Sequence, residues 1–211
     1  MKWLLPCLLS LSFLEDPEIF VCDDVSGDGA ESLCECLGVH YIPCYSRSYA
    51  FALVKGLTAA YEGDSDYFIQ LDGDGSHDPS GVHPIFNALS EGCDVVLGIR
   101  SDKKQVYGFF DRQRSVVASF LAKRILGLPF NDLTTGFHGF SRRAIEVLKP
   151  LAWKSRGFEV QVEIVYRSYR KNLKVKEVPI LFVNRRYGCS KKKLAEPLVF
   201  VKSLFDMKRL T

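Results

Sequence analysis

The chain has 211 residues, 47% of them hydrophobic and 25% charged. That balance excludes a disordered or collagen-like polymer and allows a substantial core without covalent staples. No stretch approaches the ~20 apolar residues that cross a bilayer. The seven cysteines are an odd, scattered count, with one C-x-C at Cys34 and Cys36 and no C-x-x-C. They argue against a disulfide framework or a zinc site and fit a reducing compartment. The net charge of +3 hides an asymmetry. Residues 1–99 hold three basic residues against sixteen acidic ones, whereas residues 100–211 hold 25 against nine, giving −13 and +16. Such a split suggests one half that binds cations and one that meets anions.

In chain order, Met1–Leu14 is apolar with a single lysine and reads either as a signal-peptide core or as a buried helix. No A-x-A-like site precedes Glu15-Asp16-Pro17, which favours the helix. The sequence has no N-x-[ST] sequon, in keeping with a cytosolic chain. Glu18–Cys22, Val39–Cys44, Tyr67–Leu71 and Asp94–Ile99 are short apolar runs bounded by turn residues, the pattern of buried strands. Ala30–Leu37, Tyr49–Tyr61 and Pro79–Ser90 between them carry helical spacing. Helices at Gln113–Leu126, Arg142–Leu148 and Val160–Tyr169 and a strand at Val175–Phe182 follow. Residues 194, 198, 201, 204 and 205 place an apolar stripe on a helix spanning Leu194–Leu210. The alternation predicts an α/β fold, a single domain over residues 1–211 with a mostly parallel sheet flanked by helices on both faces.

The sharpest motif is Ile69-Gln-Leu-Asp72-Gly73-Asp74-Gly-Ser76-His77-Asp-Pro. An apolar strand ends directly at two carboxylates, at the sheet edge where α/β proteins bind ligands. Two hard oxygen donors there suit Mg²⁺ or Mn²⁺ bridging to a diphosphate. A polar turn is the plain alternative. An aspartyl-nucleophile phosphatase is another, but that motif opens its domain and needs a downstream lysine and acidic pair that this chain does not offer. A second acidic cluster runs from Asp23-Asp24 through Ser26, Asp28 and Gly29 to Glu35. From Asp24 it has calcium-loop spacing, but a strand enters it where a calcium loop needs a helix, so the match reads as accidental.

Taken together, Asp23-Asp24-x-Ser26-x-Asp28-Gly29, Asp72-x-Asp74-x-x-His77, Gly98-Ile-Arg100, Asp132-Leu-Thr-Thr-Gly136-Phe137, Gly157-Phe158 and Arg185-Arg186-Tyr-Gly188-Cys-Ser190-Lys191 resemble, in order, the inverting glycosyltransferases of family 2. Within that family they are most similar to the dolichyl-phosphate mannose synthases and their polyprenyl-phosphate relatives. The resemblance implies a GT-A fold and metal-dependent transfer of one sugar, mannose or glucose, from GDP-mannose or UDP-glucose to polyprenyl phosphate. It also implies site roles. Asp72, Asp74 and Ser76 hold the metal, Asp24, Asp72 and Gly73 meet the donor, and Arg100, Arg112, Arg114, Arg185 and Lys191 cradle the acceptor phosphate. Asp72, Asp74 and Arg100 form its catalytic set.

Two departures qualify the resemblance. The sequence begins where the helix after the family's opening strand and P-x-Y-N-E segment is expected, and it stops at Thr211 with no spanning helices after the Ser190-Lys191 motif. The first keeps a non-catalytic fragment as an alternative. The second implies peripheral contact at the cytoplasmic face of a membrane, with room for an anchoring partner subunit and no nucleic-acid partner. A family 2 transferase acting on a sugar hydroxyl is a further alternative, and Asp132 is its candidate base. His77 reads equally as turn-stabilising or catalytic, and His83 and His138 as structural. Trp153 lies outside any Q-x-x-R-W pattern, which argues against a chain-elongating enzyme.

Overall fold

The computed structural model describes residues 4–25, 27–46, 48–100, 109–149, 151–183 and 196–209. Strands β1 (Phe20–Asp23) and β2 (His40–Pro43) pair in parallel across the crossover helix α2 (Ala30–Leu37), after a short α1 (Leu4–Leu9). α2 stops where Gly38 takes a left-handed conformation (φ 66°), which lets its N–H return to the last carbonyls. Helix α3 (Tyr49–Tyr61) starts at Ser48, whose hydroxyl accepts the Phe51 N–H at 3.3 Å. It leads into β3 (Tyr67–Gln70).

The second sheet adds β4 (Val95–Arg100), β5 (His138–Ser141) and β6 (Val175–Ile180), in the order β3-β5-β4-β6. β4 and β6 are parallel, and β5 runs antiparallel to both β3 and β4. The parallel rhythm therefore holds for every strand except β5, which the sequence reading does not contain. β5 is four residues of His-Gly-Phe-Ser and shows neither alternation nor an apolar run. Gly139 within it is required, because any Cβ would collide with Ile85.

The remaining helices are α4 (Val82–Ser90), preceded by a 3₁₀ turn at Pro79–Gly81, then α5 (Phe109–Leu126), α6 (Arg142–Leu148), α7 (Val160–Arg170) and α8 (Glu196–Lys208). They cover both faces of the four-stranded sheet, as expected. On one face Ile85 and Leu89 of α4 pack with Val96 and Phe137. On the other, Phe68, Val95, Leu97 and Phe140 meet the buried sides of α5, α6, α7 and α8. A third cluster joins Leu5 of α1 to Val21, Cys34 and Val39, so the start of the described chain is a packed helix. The stripe expected over Leu194–Leu210 divides. Leu204 and Met207 are fully buried in the core, whereas Leu198 (80% exposed) and Phe205 (51%) face outward.

Candidate active site

The site grows from the end of β3. The chain leaves the strand at Leu71 and turns within five residues, with Gly75 at φ 78° supplying a conformation that side chains resist. The Asp72 N–H donates to His77 Nδ1 at 3.0 Å, and the Ser76 N–H donates to Asp74 Oδ1 at 3.0 Å. His77 is wholly buried between the rings of Phe137 and Phe182, with centroids at 5.1 and 5.3 Å. Burial lowers its pKa against the pull of Asp72 and Asp74. An Nδ1 that accepts the Asp72 N–H belongs to a neutral ring carrying its proton on Nε2. His77 thus stabilises the turn, one of the two roles its sequence context allows.

The segment after β6 closes against this turn. The Val183 N–H donates to Ser76 O at 3.0 Å and the Asp78 N–H to Leu181 O at 3.3 Å. Ser76 is only 3% exposed. Asp72 and Asp74 are half-buried, and Gly73 between them is exposed. On the opposite side Tyr49 donates its hydroxyl to Asp72 Oδ1 at 3.0 Å. Gly136 makes room for that contact, since a Cβ there would lie 2.9 Å from Asp72 Oδ1 and 3.0 Å from the Tyr49 oxygen. The glycine of the Asp132–Phe137 motif thus has a steric reason at Asp72.

Arg100, at the end of β4, grips Asp132 with both arms of its fork. Nε to Oδ2 is 2.7 Å and Nη2 to Oδ1 is 2.6 Å, with a further bond from Nη2 to the Thr134 hydroxyl at 2.5 Å. Its guanidinium lies 5.4 Å from the Phe182 ring centre. Burial on its own would raise the Asp132 pKa, but the hydrogen bonds and charge of Arg100 outweigh it and hold the carboxyl below its ordinary range. Ser115 and Ser119 of α5 bond to the same loop, at the Thr134 hydroxyl (3.0 Å) and the Leu133 N–H (3.2 Å).

Asp24 follows β1 and is half-buried, beside an Asp23 carboxylate that accepts the Tyr41 hydroxyl at 3.1 Å. Asp28 accepts the Ala30 N–H at 3.1 Å and so serves the start of α2. Among the described residues, no three His, Cys, Asp or Glu side chains converge on a metal-sized site. Arg114 is exposed on α5. The side chain of Arg112, and Arg185, Lys191 and Ser26, lie outside the described residues. Sequence reasoning missed Tyr49, Gln161 and the largely buried partnership of Arg100 with Asp132. A lone tyrosine at the start of a helix carries no pattern of its own.

The profile of glycosyl transferase family 2 matches residues 2–149. A polyprenol monophosphomannose synthase of Mycolicibacterium smegmatis is 28% identical over 190 residues, covering 82% of this chain and 69% of that one. An undecaprenyl-phosphate mannosyltransferase of Micrococcus luteus is 29% identical over 185 residues, covering 83% and 76%. Among solved structures, glucosyl-3-phosphoglycerate synthase from Mycobacterium tuberculosis, in complex with Mn²⁺, UDP-glucose and glycerol 3-phosphate, superposes with a TM-score of 0.67. That match has 18% identity over 95% of this chain and 72% of that one, and the fold is the expected GT-A fold.

Asp132→Asn should lower stability by about 3 kcal/mol at neutral pH, because it leaves a guanidinium whose side chain is only 11% exposed without its carboxylate. The folded pKa of Asp132 is depressed. The carboxylate's contribution is therefore complete above the ordinary carboxyl range and is lost as pH falls through the lowered folded value. Urea unfolding of parent and variant should show a difference that shrinks in acid. A difference independent of pH would contradict the pairing.

Proposed function

The chain belongs to glycosyl transferase family 2, and from that premise we propose that this glycosyltransferase moves a single sugar from a nucleotide sugar to polyprenyl phosphate with inversion at the anomeric carbon. The observation that carries the reading is the pair of half-buried carboxylates, Asp72 and Asp74, presented at the carboxyl end of β3. The names of the two mannosyltransferase relatives support a polyprenyl phosphate acceptor and mannose as the sugar, with glucose as the alternative in this reading. The donor in this reading is GDP-mannose or UDP-glucose.

Two hard carboxylates, with no third acidic ligand among the described residues, fit Mg²⁺ or Mn²⁺, which complete their shells with diphosphate oxygens and water. Asp72 and Asp74 would hold the ion, with the Ser76 hydroxyl beside them, and Gly73 and Asp24 would meet the donor. A divalent metal bound there supplies neutralisation of the charge that develops on the departing nucleoside diphosphate. The acceptor phosphate carries about −1.5 to −2 charge near neutral pH, by analogy with phosphoserine. Its oxygen attacks the anomeric carbon as the bond to the diphosphate breaks, and the electron pair leaves with the nucleoside diphosphate. No proton need be removed, so no general base is required.

The state of Asp132 supports this over transfer to a sugar hydroxyl. Its depressed carboxyl, held by Arg100, is a weak proton acceptor. Arg100, already neutralised by Asp132, brings hydrogen-bond geometry to the phosphate more than net charge. The remaining positive cradle in this reading is Arg112, Arg114, Arg185 and Lys191.

Incubation with radiolabelled GDP-mannose or UDP-glucose, polyprenyl phosphate and Mn²⁺ should carry label into the organic phase. Asp74→Asn should reduce that transfer by roughly 10³-fold. Label that instead appears on a water-soluble sugar would favour the hydroxyl acceptor. No turnover of either donor would favour a non-catalytic chain.

The same reading places the protein peripherally at the cytoplasmic face of a membrane, by direct contact or through an anchoring subunit. No helix among the described residues is long and apolar enough to span a bilayer. The outward side of α8 presents Leu198, Val199 and Phe205 near Lys202, Lys208 and Arg209, and α5 adds exposed Val116, Val117 and Phe120. A basic helix with exposed apolar residues can lie in the headgroup plane. Replacing both Leu198 and Phe205 by Gln leaves Leu204 and Met207 in the core. It should cut co-sedimentation with anionic phosphatidylglycerol liposomes by roughly tenfold or more. Unchanged co-sedimentation would reject direct contact through this face.

A further inference from the structure

Tyr49 is half-buried at the start of α3, with its hydroxyl at the centre of a four-residue polar contact. The amide nitrogen of Gln161 on α7 lies 2.7 Å from the phenol oxygen, and that of Gln70 on β3 lies at 3.4 Å. Amide nitrogens only donate, so they occupy the oxygen's lone pairs. The single hydroxyl proton therefore points to Asp72 Oδ1, 3.0 Å away.

The ring is held as firmly as the hydroxyl. It stacks on Phe158, with centroids 4.6 Å apart. The first turn of α3 is tied to the same loop by the Ser48 hydroxyl and the Ala50 N–H, which both donate to Arg156 O at 2.7 and 3.3 Å. The loop is pinned in turn by carboxylates of α7 and its cap. Glu163 accepts the N–H groups of Lys154 and Ser155, and Glu159 accepts those of Arg156 and Gly157.

We propose that Tyr49 is a positioning residue for the metal carboxylate: its hydroxyl occupies Oδ1 of Asp72 and fixes the carboxylate's rotation, so that the remaining coordination capacity of Asp72 is directed at the cation. The proposal rests on the reading of Asp72 as a metal ligand. Groups that orient a ligating carboxylate set metal affinity through it, and their loss typically weakens binding by 10–100-fold. Tyr49→Phe removes the hydroxyl and keeps the ring on Phe158. Gln161→Leu keeps the hydroxyl but removes its nearer donor.

Free Mn²⁺ is followed by electron paramagnetic resonance, alone and with GDP or UDP, for the parent, Asp72→Asn, Tyr49→Phe and Gln161→Leu. Tyr49→Phe should weaken Mn²⁺ binding by about tenfold. It should also raise the Mn²⁺ concentration for half-maximal transfer in parallel, with turnover retained at saturating Mn²⁺. Gln161→Leu should shift both in the same direction by less. If Asp72→Asn abolishes Mn²⁺ binding while Tyr49→Phe leaves it unchanged, the positioning role is overturned and the metal assignment stands. If Asp72→Asn itself leaves binding unchanged, the metal assignment fails and takes this role with it. Should circular dichroism show Tyr49→Phe unfolded, an unchanged Mn²⁺ affinity in Gln161→Leu overturns the proposal.

Discussion

The structure turns on one requirement: two carboxylates must sit at a strand tip, open to a ligand yet fixed in direction. Neutral contacts meet it on Asp72. His77 accepts its backbone N–H, Tyr49 donates to one carboxylate oxygen, and Gly136 keeps that approach clear. None of them neutralises the carboxylate, because His77 is uncharged and Tyr49 keeps its proton. A lysine or arginine in the Tyr49 position would fix the side chain equally well but would compete with a cation for its charge. The surrounding packing follows from this. Buried His77 packs between the Phe137 and Phe182 rings, and the half-buried Tyr49 is held by two glutamine donors and Phe158.

The basic half of the chain solves the complementary problem. In the proposed reaction a dianionic acceptor approaches a donor that is itself anionic, so positive charge has to be close without binding the phosphate so tightly that attack is suppressed. Arg100 shows how the fold moderates such charge, clamping the guanidinium to Asp132 and Thr134 and setting it beside Phe182. The pairing of residues 181–183 with the Asp72–Asp78 turn brings the segment after β6 alongside Ser76 and Asp78. Acidic and basic halves of the sequence therefore meet at one turn.

Much of this was legible before any coordinates, for identifiable reasons. The parallel strands are short apolar runs stopped by turn residues, and the helices Ala30–Leu37, Tyr49–Tyr61 and Arg142–Leu148 have the bounds their sequence implies because caps or turns flank them. β5 was illegible because a central strand of four residues containing histidine and glycine satisfies no periodic template. The α8 stripe was legible as an apolar face but not in its division, since Leu204 and Phe205 are neighbours in sequence and differ only in which side of the helix meets the core. The D-x-D pair stands out because two charges end an apolar strand directly, where packing alone would not place them. Tyr49 does not, because a tyrosine opening a helix is ordinary until Asp72, 23 residues away in sequence, is found at its hydroxyl.

The most direct test is crystallographic. Crystals grown with Mn²⁺ and GDP or UDP, measured at the manganese absorption edge, should show an anomalous peak about 2.1 Å from carboxylate oxygens of Asp72 and Asp74, the spacing of a small hard cation on oxygen. A nucleoside diphosphate held elsewhere, or manganese bound away from the tip of β3, would contradict the account.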